Sequence, residues 1–293
     1  MSTTSEEVQF DDNPASGEED VEAIMRLYRA GSDAEGVPGF DDITDEQLAF
    51  FHEQGYLVVH RAFTTTEVRD ALDGLVDLID GQNPEFTRGI QLEAGSRALL
   101  STLAREQKQD AVRKLIRFVE YDARLAALAA HPRLLATLER MIGEAPTLFQ
   151  DQALLKPPLI GREKPWHQDN AYFNLPPDAP VVGAWIALDE ATPENGCMHI
   201  IPGSHRQGPT VHFKRRDWQI CDTDVATAEV VAVPLQPGGC LFFHGLLHHG
   251  TPPSQSPRRR RAVQFHYKPA SLGGIPVAER LAVFGSEGKD VTC

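Results

Sequence analysis

The feature that most constrains this chain is the segment Trp166-His167-Gln168-Asp169, in which an imidazole and a carboxylate stand two residues apart. The segment has the character of a β-strand, and side chains at positions i and i+2 of a strand leave on the same face. His167 and Asp169 are therefore predicted to point into one pocket and share a metal ion, while Gln168 points away or packs beside them. A lone His-x-Asp pair is a weak signal, so a third ligand has to come from elsewhere.

The obvious source of that ligand is the later segment that contains His244, His248 and His249. In an unbroken strand His244 and His248 would share one face and His249 would lie on the other. Spacing alone does not choose among the three. Two histidines and one carboxylate around a metal with open positions suit non-haem Fe(II) and its oxygen chemistry.

An arginine cluster, residues 258–261, follows the histidines and begins an alternating run that predicts a further strand beside the metal. The planar guanidinium of Arg260 can bind a carboxylate through two parallel hydrogen bonds. A dicarboxylate co-substrate that chelates iron at one end would need such an anchor at its other end. Adjacent strand residues alternate between faces, so most of the neighbouring arginines are expected to face solvent.

Short β-rich runs separated by Pro and Gly make up much of the second half of the chain, and this pattern argues for a sandwich or barrel. The runs are residues 147–155, 181–188, 198–201, 229–233, 239–243 and 261–267. The first half is more helical. Thr44 with Gln47 and Thr64 with Glu67 form capping boxes that open two helices, and two further helices are predicted over residues 122–130 and 131–141. Residues 111–119 fit a strand or a helix.

Composition sets the remaining frame. With 293 residues, 41% of them hydrophobic and 24% charged, the chain is predicted to form one domain over residues 41–293. Residues 1–40 are predicted to be an acidic, largely disordered tail. The net charge of −14 argues against nucleic-acid or anionic-membrane binding, and no protein partner is predicted.

Residues 82–110 are either a lid or substrate-facing loop or a disordered surface excursion.

The four cysteines have no Cys-x-x-Cys spacing, and the N-terminus does not resemble a signal peptide. A reducing cytoplasm is therefore the expected location. No apolar run approaches the length of a membrane helix.

Several motifs occur in a fixed order around the metal pair. They are Leu155-Lys156-Pro157-Pro158, Trp166-His167-Gln168-Asp169 with Tyr172-Phe173, Ala184-Trp185-Ile186-Ala187, Asn195-Gly196-Cys197, Ile201-Pro202-Gly203-Ser204-His205, Gly238-Gly239-Cys240-Leu241-Phe242-Phe243-His244, and His249-Gly250 with Arg260. Together they resemble the phytanoyl-CoA dioxygenase family of Fe(II)/2-oxoglutarate oxygenases. The resemblance covers about residues 145–268, the expected catalytic core, and says almost nothing about the substrate.

The resemblance implies a mainly β fold with flanking helices, built on a double-stranded β-helix (a jelly-roll, cupin-like core). It implies Fe(II), with 2-oxoglutarate and O2 as co-substrates and ascorbate as an accessory reductant. The family's His-Gly pair followed by a small hydroxyl residue matches His249-Gly250-Thr251, which makes His249 the preferred third ligand. His248 is the second choice, and His244 is expected to be a hydrogen-bonded neighbour.

The same resemblance assigns co-substrate contacts. Arg260 is expected to bind the distal carboxylate, Lys114 and Gln152 stand where relatives contact 2-oxoglutarate, and Trp185 could wall the pocket. Each of the last three also has a plainer interpretation: a surface lysine, a strand glutamine and a buried tryptophan.

The implied function is hydroxylation of a small-molecule substrate with release of succinate and CO2, with no catalytic residue beyond the metal centre. Carrier-linked halogenases that resemble this family replace the carboxylate ligand with a small residue, so Asp169 favours oxidation. The alternatives are a non-oxidative cupin-like metalloenzyme using Zn or Mn, which would not need Arg260, and a non-catalytic metal-binding homologue.

Overall fold

The computed structural model describes residues 21–93, 96 and 102–285. Its helices are α1 (Val21–Arg26), α2 (Asp45–Gln54), α3 (Thr65–Asp80), α4 (Arg105–Lys108), α5 (Ala123–Ala129), α6 (Pro132–Ile142) and α7 (Val277–Phe284). Its strands are β1 (Ser32–Asp33), β2 (Gly36–Val37), β3 (Tyr56–Val59), β4 (Ile90–Leu92), β5 (Val112–Ile116), β6 (Pro146–Lys156), β7 (Lys164–His167), β8 (Val182–Ala187), β9 (Met198–Ile200), β10 (His212–Lys214), β11 (Trp218–Ile220), β12 (Val231–Val233), β13 (Cys240–His244), β14 (His249–Thr251) and β15 (Arg260–Pro269).

Two sheets form the body of the molecule. The large sheet has the strand order β2-β3-β13-β8-β15-β6-β5-β4, and the small sheet has the order β1-β12-β9-β14-β7. Strands β10 and β11 pair separately as a hairpin. Neighbours in the sheets are often distant in sequence, as with β15 between β6 and β8.

Alternation along the strands gives the large sheet two buried faces. Ala262 belongs to a core cluster shared with Trp185 and with Met198 and Ile200 of the small sheet, so this cluster lies between the sheets. Val263 belongs to a second cluster that includes residues of α2, α3, α5 and α6. The large sheet is therefore packed against the small sheet on one face and covered by helices on the other, which agrees with the β fold with flanking helices that the family resemblance implies.

Helices α2 and α3 begin at the capping boxes that the sequence predicts. Thr64 N donates to Glu67 Oε2 at 2.7 Å and Glu67 N donates back to Thr64 Oγ1 at 3.3 Å, which confirms the capping box of α3. Thr44 and Gln47 form the other predicted box, at the start of α2. A cap of this kind stabilises a helix by about 1 kcal/mol. Residues 111–119, which fit a strand or a helix, contain the strand β5.

Only residues 21–40 of the segment predicted to be an acidic tail are described by the structure. Residues 1–20 lie outside the described residues. Tyr28 is only 4% exposed, its ring stacks on Trp166 with centroids 5.3 Å apart, and its hydroxyl donates to Glu163 Oε1 at 2.7 Å. Strand β1 pairs with β12, and β2 pairs with β3. The packed part of the chain therefore begins before the predicted boundary at residue 40. Tyr28 and the strands β1 and β2 contact the rest of the domain, and the average composition of residues 1–40 does not reveal these contacts.

The 82–110 segment is partly described. Ile90–Leu92 forms the edge strand β4, and α4 contacts α3 through ion pairs of Arg105 with Asp77 at 2.6 Å and Lys108 with Asp80 at 2.7 Å. Residues 94, 95 and 97–101 lie outside the described residues. A lid role for this segment stays a prediction.

In the part of the chain that the structure describes, none of the helices combines the length and apolar character needed to cross a bilayer.

Candidate functional site

His167, Asp169 and His249 meet at one end of the small sheet. One ligand atom from each lies within 4.8 Å of the others, and all three residues are buried. Asp169 Oδ1 is 3.3 Å from His167 Nε2 and 3.6 Å from His249 Nε2. The predicted pair and its preferred third member are thus brought together.

The local route to this geometry differs from the expected one. Strand β7 ends at His167, and Asp169 begins a 3-10 helix, Asp169–Tyr172. Alternation along one strand therefore does not place the carboxylate. The chain turns after His167, and this turn returns the Asp169 side chain toward the imidazole two residues earlier.

Both histidines present the same ring nitrogen to the centre. Nδ1 of His167 lies 2.8 Å from the carbonyl oxygen of Pro165, and Nδ1 of His249 lies 2.9 Å from that of Leu247. A carbonyl only accepts, so each Nδ1 carries a hydrogen and each Nε2 keeps its lone pair. Such a bond to the second ring nitrogen fixes the tautomer and orientation that metal ligation requires.

The other two candidate histidines are held away from Asp169. Leu246 N donates to His244 Nδ1 at 3.0 Å, and His248 Nε2 lies 3.0 Å from the hydroxyl of Thr210. The strand does not continue unbroken, because β13 ends at His244 and β14 begins at His249. Because the chain turns between these strands, the strand alternation that would have placed His244 and His248 on one face does not apply.

Electrostatics in the centre favour the protonation states of a ligand set. Burial opposes ionisation of Asp169, but His249 and His266 outweigh it and hold the pKa of the carboxyl well below its usual range. Burial, with His249 and Lys164 nearby, lowers the pKa of His167 to about 4. An ionised carboxylate beside a neutral imidazole is the state in which these groups bind a divalent cation.

The second oxygen of Asp169 is occupied by protein donors. His266 Nε2 lies 2.7 Å from Asp169 Oδ2, and Gln264 Nε2 lies 3.1 Å from it. The sequence alone does not single out either residue as part of the site. Alternation from Arg260 along β15 puts residues 260, 262, 264 and 266 on one face, so the signal was present in the anchor strand itself.

Gln168 points away from the metal ligands, one of the two predicted alternatives. Its fully buried amide donates to Gly208 O at 2.9 Å and Leu246 O at 2.8 Å, and accepts from Thr210 N at 2.7 Å. These hydrogen bonds connect Gln168, which lies between His167 and Asp169 in the sequence, to the loops that contain Gly208, Thr210 and Leu246.

Arg260 begins β15 and is 2% exposed. Its guanidinium lies 5.5 Å from the Trp185 ring centroid and donates to Leu154 O at 2.9 Å, while Nε has no partner among the described residues. Burial lowers the pKa of Arg260 to about 10. Within the described ranges no carboxylate lies at ion-pair distance, so this buried cation is left open for an anion.

The flanking arginines are engaged elsewhere. Arg258 pairs with Glu190, Arg259 with Asp110 at 2.5 Å, and Arg261 with Asp189 at 2.7 Å. Their partners account for their orientation and leave Arg260 as the member of the cluster turned toward the inter-sheet core.

The remaining predicted co-substrate residues lie on strands beside Arg260. Gln152 of β6 and Trp185 of β8 both stand directly opposite Gln264 of β15, and both are buried. Lys114 of β5 is opposite Leu154, whose carbonyl Arg260 binds. Lys114 is half-buried, which is not the position of the solvated surface lysine in the plainer interpretation, and burial, reinforced by Lys164, lowers its pKa to about 8.

Comparison with known proteins gives a consistent result. Residues 51–262 match the family model described as Phytanoyl-CoA dioxygenase (PhyH). Phytanoyl-CoA dioxygenase 1 of Oryza sativa subsp. japonica is 26% identical over 262 residues, covering 78% of this chain and 90% of that protein. The peroxisomal phytanoyl-CoA dioxygenase of Bos taurus is 26% identical over 250 residues, covering 79% and 70%.

Solved structures show the same fold. The carbocyclase SnoK from nogalamycin biosynthesis, described as non-heme and alpha ketoglutarate dependent, is similar with a TM-score of 0.65 at 22% identity, covering 87% of this chain and 98% of SnoK. EctD from S. alaskensis, solved with bound Fe, has a TM-score of 0.66 at 23% identity, covering 88% and 92%. The predicted double-stranded β-helix fold is confirmed, and because the family model matches well over half of the sequence, the chain belongs to the phytanoyl-CoA dioxygenase family.

Proposed function

We propose that this protein is an Fe(II)- and 2-oxoglutarate-dependent oxygenase that hydroxylates a small molecule. One observation carries the proposal: Arg260, a buried guanidinium that no carboxylate of the described residues pairs, lies on the same face of β15 as Gln264 and His266, which contact Asp169 of the His167, Asp169 and His249 cluster. A metal site alone fits many chemistries. A metal site with a buried anchor for a second carboxylate fits a chelating dicarboxylate.

The donor set fits ferrous iron. Two imidazole Nε2 atoms with free lone pairs and one carboxylate oxygen form the facial arrangement that leaves open positions on Fe(II). Bound Fe(II) would supply O2 activation coupled to oxidative decarboxylation of 2-oxoglutarate to succinate and CO2, with ascorbate as an accessory reductant. His167 and His249 are oriented for this by their bonds to backbone carbonyls.

The pocket residues fit the co-substrate. The unpartnered Nε of Arg260 and its remaining N–H groups would donate to the distal carboxylate, and Trp185 would wall that end. Gln152 and Lys114 are proposed as further contacts. Burial penalises the charged form of Lys114, and a bound carboxylate beside it would raise its pKa again. The protonated amine would then donate a charge-assisted hydrogen bond to that carboxylate.

Arg260 also separates this proposal from a non-oxidative cupin-like metalloenzyme. Such an enzyme has no use for a buried, unpaired guanidinium, and leaving a charge buried without a partner is strongly unfavourable. Proteins of similar fold include a carbocyclase and an epimerase, so the fold does not fix the outcome of the reaction. Hydroxylation of the substrate is therefore a proposal, and succinate release would accompany each of these reactions.

The test is succinate formation from 2-oxoglutarate in air with Fe(II) and ascorbate. Turnover without substrate is expected to be slow, so small molecules are screened for those that raise the rate. Succinate should appear with Fe(II), disappear with Zn(II) in its place, and be absent in His249→Ala. Exposed Arg258 provides a matched control, and Arg258→Ala should release succinate at the parent rate. A metal-loaded protein that consumes no 2-oxoglutarate with any substrate would reject the oxygenase in favour of the other metalloenzyme class.

A further inference from the structure

The two oxygens of Asp169 have different surroundings. Oδ1 faces the Nε2 atoms of His167 and His249 at 3.3 Å and 3.6 Å. Oδ2 faces away from them, toward His266 Nε2 at 2.7 Å and Gln264 Nε2 at 3.1 Å. One carboxylate thus has a ligand side and a protein-bound side.

The hydrogen-bond roles on the protein-bound side follow from chemistry. An ionised carboxylate oxygen only accepts, so His266 carries its hydrogen on Nε2 and Gln264 turns its amide NH2 toward Oδ2. His266 Nδ1 has no partner among the described residues. His266 Nε2 also lies 3.0 Å from Gln264 Nε2. The ring is fully buried and packs edge-on against Phe173 with centroids 4.9 Å apart, so its orientation is set by packing and by its contacts with Asp169 and Gln264.

Both donors come from the same strand. Gln264 and His266 stand two residues apart on β15 and therefore share a face. Their positions are fixed by neighbouring strands on both sides, with Gln264 opposite Trp185 of β8 and His266 opposite Gly183. A rigid strand is a better platform for orienting a ligand than the short 3-10 helix that carries Asp169 itself.

We propose that His266 and Gln264 are positioning residues that fix Asp169 as a one-oxygen metal ligand. The inference rests on the proposed metal site. With both donors on Oδ2, only Oδ1 is offered to the metal, and the remaining coordination positions stay open for the co-substrate and O2. Without them the carboxylate is free to rotate and bind through both oxygens, which closes one of those positions. Partners of this kind typically change metal affinity or activity by about 10- to 100-fold when removed.

The experiment uses Co(II), whose visible spectrum reports coordination number, on apo-protein. His266→Phe keeps the aromatic packing against Phe173 but removes the donor. His266→Gln restores an N–H the same number of bonds from the backbone. Gln264→Leu removes the second donor. His199→Phe is the matched control, because His199 is a buried histidine whose ring contacts Tyr28 on the other side of the small sheet.

We expect His266→Phe to weaken Co(II) binding by about 10- to 100-fold and to change the shape of the Co(II) spectrum. His266→Gln should restore both, His199→Phe should leave both at parent values, and Gln264→Leu should weaken binding by several-fold. If His266→Phe does not fold, as judged by circular dichroism, the comparison of Gln264→Leu with parent decides the matter. Parent-like Co(II) affinity and spectrum in His266→Phe, or in Gln264→Leu when it stands alone, would overturn the proposal.

Failure of the proposed function gives a different result. A protein that binds Co(II) and shows the expected variant series but never forms succinate would keep the positioning role and lose the oxygenase assignment. Succinate formation with an unchanged variant series would do the reverse.

Discussion

His249 lies directly opposite His167 in the antiparallel pairing of β14 with β7, and their imidazole rings are 4.2 Å apart between centroids. The two residues are distant in sequence, so strand pairing builds the centre. Side chains opposite each other on one face of a sheet are close neighbours. The register of the small sheet therefore sets the positions of His167 and His249. Asp169, in the turn after β7, supplies the third ligand.

Replacing His249 tests the choice among the three histidines. His249→Ala should weaken Co(II) binding by more than about 100-fold, because loss of a ligand costs more than the 10- to 100-fold typical of outer partners. His248→Gln keeps a polar contact to Thr210 and should bind Co(II) like the parent. Isothermal titration of the apo-proteins measures both. Loss of binding in the His248 variant alone would mean that the wrong histidine was chosen.

Arg260 should act on the co-substrate and leave the metal alone. Arg260→Ala removes charge-assisted hydrogen bonds worth about 1.5–3 kcal/mol each, so the KM for 2-oxoglutarate should rise by about 10- to 100-fold while Co(II) affinity is unchanged. The exposed neighbour gives the control, and Arg258→Ala should leave both quantities unchanged. An unaltered KM in Arg260→Ala would place the distal carboxylate elsewhere.

Buried neutral histidines should make the apo-protein sensitive to mild acid. Burial lowers the pKa of His199 to about 4 and that of His212 to about 3, against about 6.5 in an unfolded chain. As the pH falls below about 6.5 the unfolded chain takes up protons first, so stability is full above that pH and is lost on acidification. Each histidine contributes a slope of up to about 1.4 kcal/mol per pH unit.

Urea denaturation of the apo-protein between pH 7 and pH 5 measures this slope. Unfolded carboxylates, whose pKa lies near about 4, remain mostly ionised across that window. His212 accepts a hydrogen bond from Gln168 N at 3.0 Å through Nε2, which requires the neutral ring, so His212→Gln should flatten the dependence. A free energy of unfolding that is constant from pH 7 to pH 5 would show that these rings are not held neutral.

The region just after residue 20 should contribute to the fold. Tyr28→Phe removes the hydrogen bond to Glu163 and should lower the free energy of unfolding by about 1–3 kcal/mol. Tyr28→Ala also removes the stacking on Trp166, and should cost about 3–5 kcal/mol. Val21, 51% exposed, supplies the control, and Val21→Ala should stay within about 0.5 kcal/mol of the parent. Equal stability of all three variants would return this segment to the predicted tail.

The sequence was sufficient for features carried by local chemistry. The capping box of Thr64 and Glu67 predicted the start of α3, and period-two runs predicted the long strands β6 and β15. The pairing of His167 with Asp169 was also visible, although the carboxylate reaches its place through a turn.

The features that the sequence left open depend on non-local pairing. Spacing did not choose between His249 and His248, and only the family's His-Gly motif favoured His249. The physical reason is the break between β13 and β14 and the register of β14 with β7. The role of His266 needed the position of the Asp169 side chain, which no local pattern specifies. The packing of Tyr28 on Trp166 needed a contact between distant segments, and average composition at the N-terminus obscured it.

The central claim is that the three ligands and Arg260 act on one chelated complex, and an anomalous difference map from anaerobic crystals with Fe(II) and 2-oxoglutarate tests it most directly. We predict an iron peak bounded by His167 Nε2, Asp169 Oδ1 and His249 Nε2, with 2-oxoglutarate on the metal and its distal carboxylate on the Arg260 guanidinium. Iron bound elsewhere, or 2-oxoglutarate density away from Arg260, would contradict the account.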